Sequence, residues 1–247
     1  VIGNPIDHSL SPKLHNYWLK ENKIDAVYDK KKIDENDLKT VFSEFKEKKI
    51  NGINVTVPFK KLVIPYLDKL SIEAEQTQSV NTIMLNNNNL VGHNTDISGF
   101  AKAIKNLNFN FEGKKIFILG AGGVVPSLIY ALNKINVSEI TISNRTREKA
   151  ENLKLRFQDI NILDWGHITD FDVIINATSL GLNKEIINLN LSKIGKNKLF
   201  YDVIYNPRET NFLKKGKKLG NKIENGKLMF IYQAFEAFKL WHGIEPK

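Results

Sequence analysis

Two residues of the chain could act together on a carbonyl group. Lys60 closes the run Asn54-Val55-Thr56-Val57-Pro58-Phe59-Lys60-Lys61, and Asp96 closes Asn94-Thr95-Asp96. Pro58 cannot donate to a sheet ladder, so the chain must leave a strand there, placing Thr56 and Lys60 at a strand end. A lysine and an aspartate at neighbouring strand ends suit carbonyl reduction: the ammonium donates a proton to the developing alkoxide while the carboxylate orients and charges it. The plainer alternative is a surface lysine and an Asp96 that caps the helix after it. His8-Ser9-Leu10-Ser11-Pro12 sets the hydroxyls of Ser9 and Ser11 on alternate positions ahead of a helix start, which suits a small carboxylate. Ser11 as a helix cap alone is the other reading.

A second kind of chemistry is written in Lys115-Ile116-Phe117-Ile118-Leu119-Gly120-Ala121-Gly122-Gly123. A short apolar run, a glycine turn and a helix start are the parts of a dinucleotide-binding turn, in which backbone N–H groups and the helix dipole receive a pyrophosphate. The position that normally takes a third small residue is Val125, and Pro126 follows in the first helical turn, where a missing N–H is tolerated. A tight strand-to-helix turn without ligand is the competing reading. About twenty residues on, the next strand ends in Asn144-Arg145-Thr146-Arg147-Glu148-Lys149. An NAD site usually has an acidic residue there for the ribose 2′-OH; here the basic residues would attract a 2′-phosphate, which points to NADP. A basic first turn of an exposed helix is unfavourable against the helix dipole.

The elements that carry these residues alternate. A strand end at Val1 to Gly3 precedes a helix begun by Ser11-Pro12. A strand over Ala26 to Ile33, a helix over Glu35 to Lys48 (Leu38, Val41, Phe42 and Phe45 inward) and a strand over Gly52 to Val57 follow. Residues 59–77 read as mostly helical with a break at Pro65, and Val80 to Leu85 with Leu90 to His93 form a hairpin around an Asn-rich turn. After a helix over Ile97 to Leu107, a second series has strands at Lys115 to Leu119, Glu139 to Ser143, Val173 to Ala177, Lys198 to Val203 and Lys222 to Asn225. A helix over Thr210 to Gly216 and a long one over Lys227 to Trp241 complete it. Such alternation implies right-handed βαβ crossovers. The expected architecture is α/β in two domains, an N-terminal α/β domain and a Rossmann-type doubly wound parallel sheet, with a cleft between them.

Composition narrows the function classes. The chain has 247 residues, 42% hydrophobic and 26% charged, as in globular proteins. It has no cysteine, which excludes disulfides, thiol nucleophiles and iron–sulfur or Cys-zinc sites, and its five histidines show no ligand spacing, so no metal is expected. The net charge of +9 is carried by scattered lysines without interleaved aromatics, a solvated surface rather than a nucleic-acid face. No apolar run is long enough to span a bilayer and no signal peptide opens the chain, so no membrane partner and a cytoplasmic location are expected. Val1 stands without a methionine inside an apolar segment, as if a few residues of a first strand preceded it.

Taken in order, these motifs resemble the shikimate dehydrogenase family nearly end to end. The matching stretches are Gly3-Asn4-Pro5-Ile6 to Asn16, Asn54 to Lys60, Val80-Asn81-Thr82, Gly92 to Asp96, Gly120 to Gly123, Asn144-Arg145-Thr146, Asn176 to Ser179, Tyr201-Asp202 to Pro207 and Gln233-Ala234-Phe235. The resemblance implies reversible NADPH-dependent reduction of 3-dehydroshikimate to shikimate in aromatic amino-acid biosynthesis, with Lys60 and Asp96 as the catalytic pair. It further implies that Ser9 and Ser11, helped by Tyr205, bind the substrate carboxylate, and that Thr56, Asn81 and Gln233 contact the ring hydroxyls. Gly120, Ala121, Gly122, Gly123 and Val124 would take the pyrophosphate of NADP(H), Asn144, Arg145, Thr146, Arg147 and Lys149 the 2′-phosphate, and Val203, Gly226 and Met229 the nicotinamide side. Residues 1–100, completed by helix 227–247, would form the substrate-binding domain, and 101–226 the NADP-binding domain. Two departures are Ile97, where many relatives have glycine, and Val125-Pro126-Ser127, which lacks a basic residue found in some relatives. A homodimer is among the assemblies open to such a chain. The rival activities are a quinate/shikimate dehydrogenase of broader specificity, which would be more comfortable with an acidic residue near Asn144, and a non-catalytic ligand sensor, which would not need both Lys60 and Asp96.

Overall fold

The computed structural model describes residues 1–183, 185–191 and 194–247. The chain divides into two compact units, Val1–Gly99 with Ile231–Lys247, and Phe100–Phe230.

The first unit opens with β1 (Ile2–Gly3), α1 (Ser11–Glu21), β2 (Lys31–Lys32) and, after one 3₁₀ turn, α2 (Leu38–Lys46). Then come β3 (Gly52–Asn54), β4 (Lys69–Leu70), α3 (Ile72–Thr77), β5 (Thr82–Asn86), β6 (Asn89–His93) and α4 (Thr95–Lys105), which runs on into the second unit. Four strands form a sheet in the order β3-β5-β6-β4, antiparallel except between β4 and β6, and β1 and β2 form a separate parallel pair. An isolated bridge from Ile2 to Val55 ties that pair to the end of β3. The β5–β6 turn has Asn87 and Asn88 at φ 48° and 63°. Two consecutive positive φ values match the twist of a two-residue hairpin, and Asn tolerates them better than most residues. The expected inward face of α2 (Leu38, Val41, Phe42, Phe45) is buried, in one cluster with Ile2, Ile53, Val55, Phe59 and Ile83.

Several expected elements are shorter than the sequence implied. The strand over Ala26 to Ile33 reduces to Lys31–Lys32, because only those residues find a partner, in Ile2 and Gly3. The helix expected over 59–77 is a turn, a 3₁₀ segment at Ile64–Tyr66, strand β4 and then α3. One helical turn starts, with the Val63 N–H donating to the Phe59 carbonyl at 3.0 Å, but Pro65 has no N–H to continue it. Lys69 and Leu70 then pair with Val91 and Gly92, a tertiary pairing that overrides local helical periodicity.

The second unit continues with β7 (Lys115–Leu119), α5 (Val125–Asn133), β8 (Glu139–Ser143), α6 (Arg147–Lys154) and β9 (Ile160–Leu163). It ends with β10 (Val173–Asn176), β11 (Leu199–Asp202), α7 (Asn211–Lys218), β12 (Lys222–Glu224) and the start of α8 (Lys227–His242). All six strands are parallel in the order β12-β11-β10-β7-β8-β9. This is the doubly wound order, whose direction reverses between β7 and β10 at their carboxyl ends, where such sheets bind ligands. Ile116 to Leu119 are all buried, as a central parallel strand demands. Strand β9 was not expected; it is a four-residue edge strand with only Ile160 fully buried, too short and too exposed to carry a pattern.

The far half of α8 belongs to the first unit, where Ala234 and Phe238 pack with Trp18 and Leu19. The Trp241 indole N–H donates to the Ile83 carbonyl of β5 at 3.1 Å, anchoring the end of the helix on that sheet.

Candidate active site

In the first unit the chain leaves β3 through Val55, Thr56 and a cis Val57–Pro58 peptide. Phe59 is buried, its N–H bonded to the Thr56 carbonyl, and the Lys60 carbonyl accepts from the Val80 N–H at 2.8 Å. Those bonds fix the Lys60 backbone, and its ammonium donates to the Asp96 carboxylate in an ion pair. Both residues are buried, at 8% and 6% exposure. An ion pair shielded from water acts more strongly on a neighbouring charge than one in bulk solvent. Asp96 is the second residue of α4 and its N–H donates to the Asn94 Oδ1 at 3.2 Å. Asn94 rather than Asp96 therefore takes the capping role, which leaves the Asp96 carboxylate for Lys60.

Asn81 is buried and its amide is held on both sides. Its Oδ1 accepts from the Thr95 N–H at 2.7 Å, and its Nδ2 donates to the Thr95 hydroxyl at 2.9 Å. Ser9 and Ser11 bracket the start of α1, but Ser11 is the first helical residue and not the cap. Its N–H donates to the Ser9 hydroxyl at 3.3 Å, and no side chain caps the helix. Thr56 is half-buried beside Gly3, and Gln233 lies half-buried on α8 within the first unit. Ser9, Ser11, Thr56, Lys60, Asn81, Asp96 and Gln233 thus all belong to one unit. Tyr205, the remaining expected carboxylate contact, belongs to the second, where its ring stacks on Phe230 at 4.4 Å.

The expected cofactor residues all fall in the second unit. Gly120 has φ 113°, and a Cβ there would lie 2.8 Å from the Ala177 carbonyl oxygen, so only glycine fits between β7 and β10. Ala121 to Val124 then lead into α5, whose first turn has no side-chain cap, leaving helix N-terminal dipole for an anion. At the end of β8, the Asn144 amide donates to the Thr146 carbonyl at 2.7 Å and shapes the turn. Arg145 and Lys149 are exposed and form no ion pair among the described residues. Arg147 differs, since its guanidinium is held by Glu151 at 2.9 Å and by Asp164. These carboxylates hold its pKa above the usual arginine range, the Glu151 hydrogen bond first. Val203 and Gly226 touch: a Cβ on Gly226 would come within 2.0 Å of the Val203 carbonyl oxygen. Met229 is buried one turn further along α8.

Two buried networks went unassigned in the sequence. In the first unit, Asn54, Thr82 and Thr95 surround Asn81, while Asn94, bonded to the Thr77 hydroxyl, receives the Asp96 N–H. Their signal was present as two Asn-Thr pairs, Asn81-Thr82 and Asn94-Thr95, at the paired ends of the hairpin. In the second, the fully buried Asp202 carboxylate accepts from the Asn176 amide (3.0 Å), the Ile204 N–H (3.0 Å) and the Thr210 hydroxyl (2.6 Å). Burial pushes its pKa up to about 6, with the three donors opposing that rise. The network fixes the chain as it leaves β11 toward Val203 and Tyr205.

Residues 1–83 match the shikimate dehydrogenase substrate binding domain, and residues 101–213 match the shikimate / quinate 5-dehydrogenase family. A shikimate dehydrogenase (NADP(+)) of Pelagibacter ubique is 56% identical over 100% of this chain and 94% of its own length. The chain belongs to the shikimate dehydrogenase family. The crystal structure of shikimate dehydrogenase from Aquifex aeolicus superposes with a TM-score of 0.92 at 39% identity, covering 100% of this chain and 92% of that one. The shikimate 5-dehydrogenase of Thermus thermophilus, solved with NADP(H) and shikimate, has a TM-score of 0.87 at 29% identity, covering 100% and 93%. Family membership covers both units and bears out the two-domain α/β expectation. Among the described residues no helix is long and apolar enough to cross a membrane.

Proposed function

We propose that the chain catalyses the reversible NADPH-dependent reduction of 3-dehydroshikimate to shikimate, with Lys60 and Asp96 as the catalytic pair. The observation that carries this reading is the buried Lys60–Asp96 ion pair, set at the mouth of a strand and at a helix start. In the reductive direction the Lys60 ammonium hydrogen-bonds the substrate carbonyl and gives its proton to the oxygen as the C–O bond becomes an alkoxide. Asp96 keeps the Lys60 side chain aimed, and the proton is restored from solvent. Ser9 and Ser11 hold the carboxylate through their hydroxyls, and Tyr205 assists. Thr56, Asn81 and Gln233 read the ring hydroxyls.

When bound, NADPH supplies the hydride that the carbonyl carbon accepts. The residues present fit that cofactor: Gly120 leaves room at the carboxyl end of β7, and the turn after β8 is basic and free of an acidic residue at Asn144. Arg145, Thr146 and Lys149 take the 2′-phosphate, and Arg147 contributes less, being engaged by Glu151 and Asp164. On this reading residues 1–100 with 227–247 serve the substrate and 101–226 the cofactor. The partners are small molecules in the cytoplasm, with no nucleic acid or membrane.

The test is a rate measurement with shikimate and quinate, each against NADP+ and NAD+. Turnover of shikimate with NADP+ well above the other three combinations is expected. Equal turnover with quinate, or with NAD+, would replace the reading with a broader quinate/shikimate dehydrogenase.

A further inference from the structure

We infer that Thr82 is a positioning residue for this reaction: its hydroxyl sets the amide of Asn81 and, through Thr95, the start of the helix that carries Asp96. The inference deepens the reading above and rests on it for its kinetic arm.

Thr82 is fully buried on β5, opposite Asn54 of β3 on one side and His93 of β6 on the other. Its Oγ1 lies 3.0 Å from the Asn54 Nδ2, 3.1 Å from the Asn81 Oδ1 and 3.2 Å from the Thr95 Oγ1. A hydroxyl has one proton to give. Asn54 Nδ2 can only donate, so Thr82 accepts there and gives its own proton to Asn81 or Thr95. The Thr95 N–H can only donate as well, so the atom it meets at 2.7 Å must be the Asn81 oxygen. The Asn81 amide is thereby held in one orientation, with Nδ2 giving one hydrogen to Thr95 at 2.9 Å. No further hydrogen bond from Nδ2 occurs among the described residues, so its second hydrogen is left for a ligand.

The junction is braced from outside. The Tyr28 hydroxyl donates to the Asn54 Oδ1 at 2.6 Å, and the Tyr28 ring is stacked on His15 at 4.2 Å. Burial pushes the His15 pKa down to about 3, so this brace carries no charge toward Asp96 near neutral pH. From Tyr28 through Asn54 and Thr82, every step toward Asn81 and Thr95 is a hydrogen bond between buried or half-buried groups. Buried networks of this kind specify a single arrangement while their members are bonded, and loosen when one is removed.

Valine has nearly the shape of threonine but no hydroxyl. Thr82→Val leaves Asn54 its bond to the Asn81 carbonyl at 3.1 Å and leaves Asn81 its bond to the Thr95 N–H, so the fold has other supports. What it loses is the hydroxyl that accepts from Asn54 and gives its proton to Asn81 or Thr95, so the Asn81 amide keeps its orientation but is held by Thr95 alone and less firmly. The expected result is a rise in KM for shikimate and a fall in kcat, together about 10- to 100-fold in kcat/KM, with KM for NADP+ unchanged. Thr82→Ser, which keeps the hydroxyl, recovers most of it. Kinetics of Thr82→Val within twofold of wild type, or an equal loss of NADP+ binding, overturns the inference. A second readout is independent of turnover: the side-chain amide resonances of Asn81 in isotope-labelled protein are expected to shift and broaden in Thr82→Val but not in Thr82→Ser. If wild type fails to turn over shikimate, the functional reading falls, while unchanged Asn81 resonances in Thr82→Val still overturn the role of Thr82.

Discussion

Asp202 makes the folded second unit sensitive to pH in a direction opposite to most aspartates. Its carboxyl is ordinary in the unfolded chain, near 3.8, but is pushed to about 6 in the folded one because burial outweighs the three hydrogen bonds it accepts. Below pH 3.8 it is protonated in both states and the full stability is present. As pH rises the unfolded chain ionises first and is favoured, until above about pH 6 both states are charged and the contribution has been lost. The gap between the two values corresponds to about 3 kcal/mol. Asp202→Asn removes the titration and retains the geometry: its oxygen can accept from Asn176 and Ile204, and its amide can donate to a Thr210 hydroxyl that turns from donor to acceptor. The difference in unfolding free energy between variant and wild type, measured by urea denaturation from pH 4 to pH 8, is expected to grow with pH in favour of the variant, by up to about 3 kcal/mol. Taking the difference cancels groups with the opposite slope, such as Asp170 and Glu185, whose pKa values are lowered by hydrogen bonds. A difference that is flat across this range, or that favours wild type more as pH rises, refutes the argument that burial dominates at Asp202.

Three further outcomes follow from the cofactor side. Arg145→Ala is expected to raise KM for NADPH about 10- to 100-fold while leaving that for NADH unchanged, since a charge-assisted bond to phosphate is worth about 1.5–3 kcal/mol; an equal rise for both cofactors counts against a 2′-phosphate contact. Arg147→Ala is expected to matter less for NADPH than Arg145→Ala, because Glu151 and Asp164 already hold that guanidinium, and a larger effect at Arg147 would reverse the assignment. Gly226→Ala places a methyl 2.0 Å from the Val203 carbonyl oxygen, so the backbone must move; about 1–3 kcal/mol of stability should be lost in denaturant unfolding, together with weaker NADPH binding by titration.

How much was legible in the chain depended on whether one element or several had to be read together. Strand β7 stands where its apolar run ends, because a central parallel strand buries both faces and writes its limits in consecutive residues, and β8 has the bounds expected for it. The pair Lys60 and Asp96 was legible because each follows a strand and precedes a turn or helix. Strands β4 and β9 were not, since two or four residues at a sheet edge carry no periodicity and exist only through their partners. Ser-Pro commonly opens a helix with the serine as cap, yet here the helix begins one residue earlier, at Ser11 itself, and no side chain caps it. Arg147 was grouped with its basic neighbours by spacing, whereas Asp164, on the far side of β9, engages it across a distance no local pattern could reveal. Thr82 was present within a matching motif, but its role appears only when three strand ends and a helix start converge.

The role proposed for the Lys60–Asp96 pair is proton transfer on shikimate. The direct measurement is kcat for shikimate oxidation by NADP+ in Lys60→Ala and Asp96→Asn, with NADPH affinity measured in parallel on the same preparations. A fall in kcat of about 10²- to 10⁴-fold is expected in each, with cofactor affinity retained. Turnover unchanged in Lys60→Ala would contradict it.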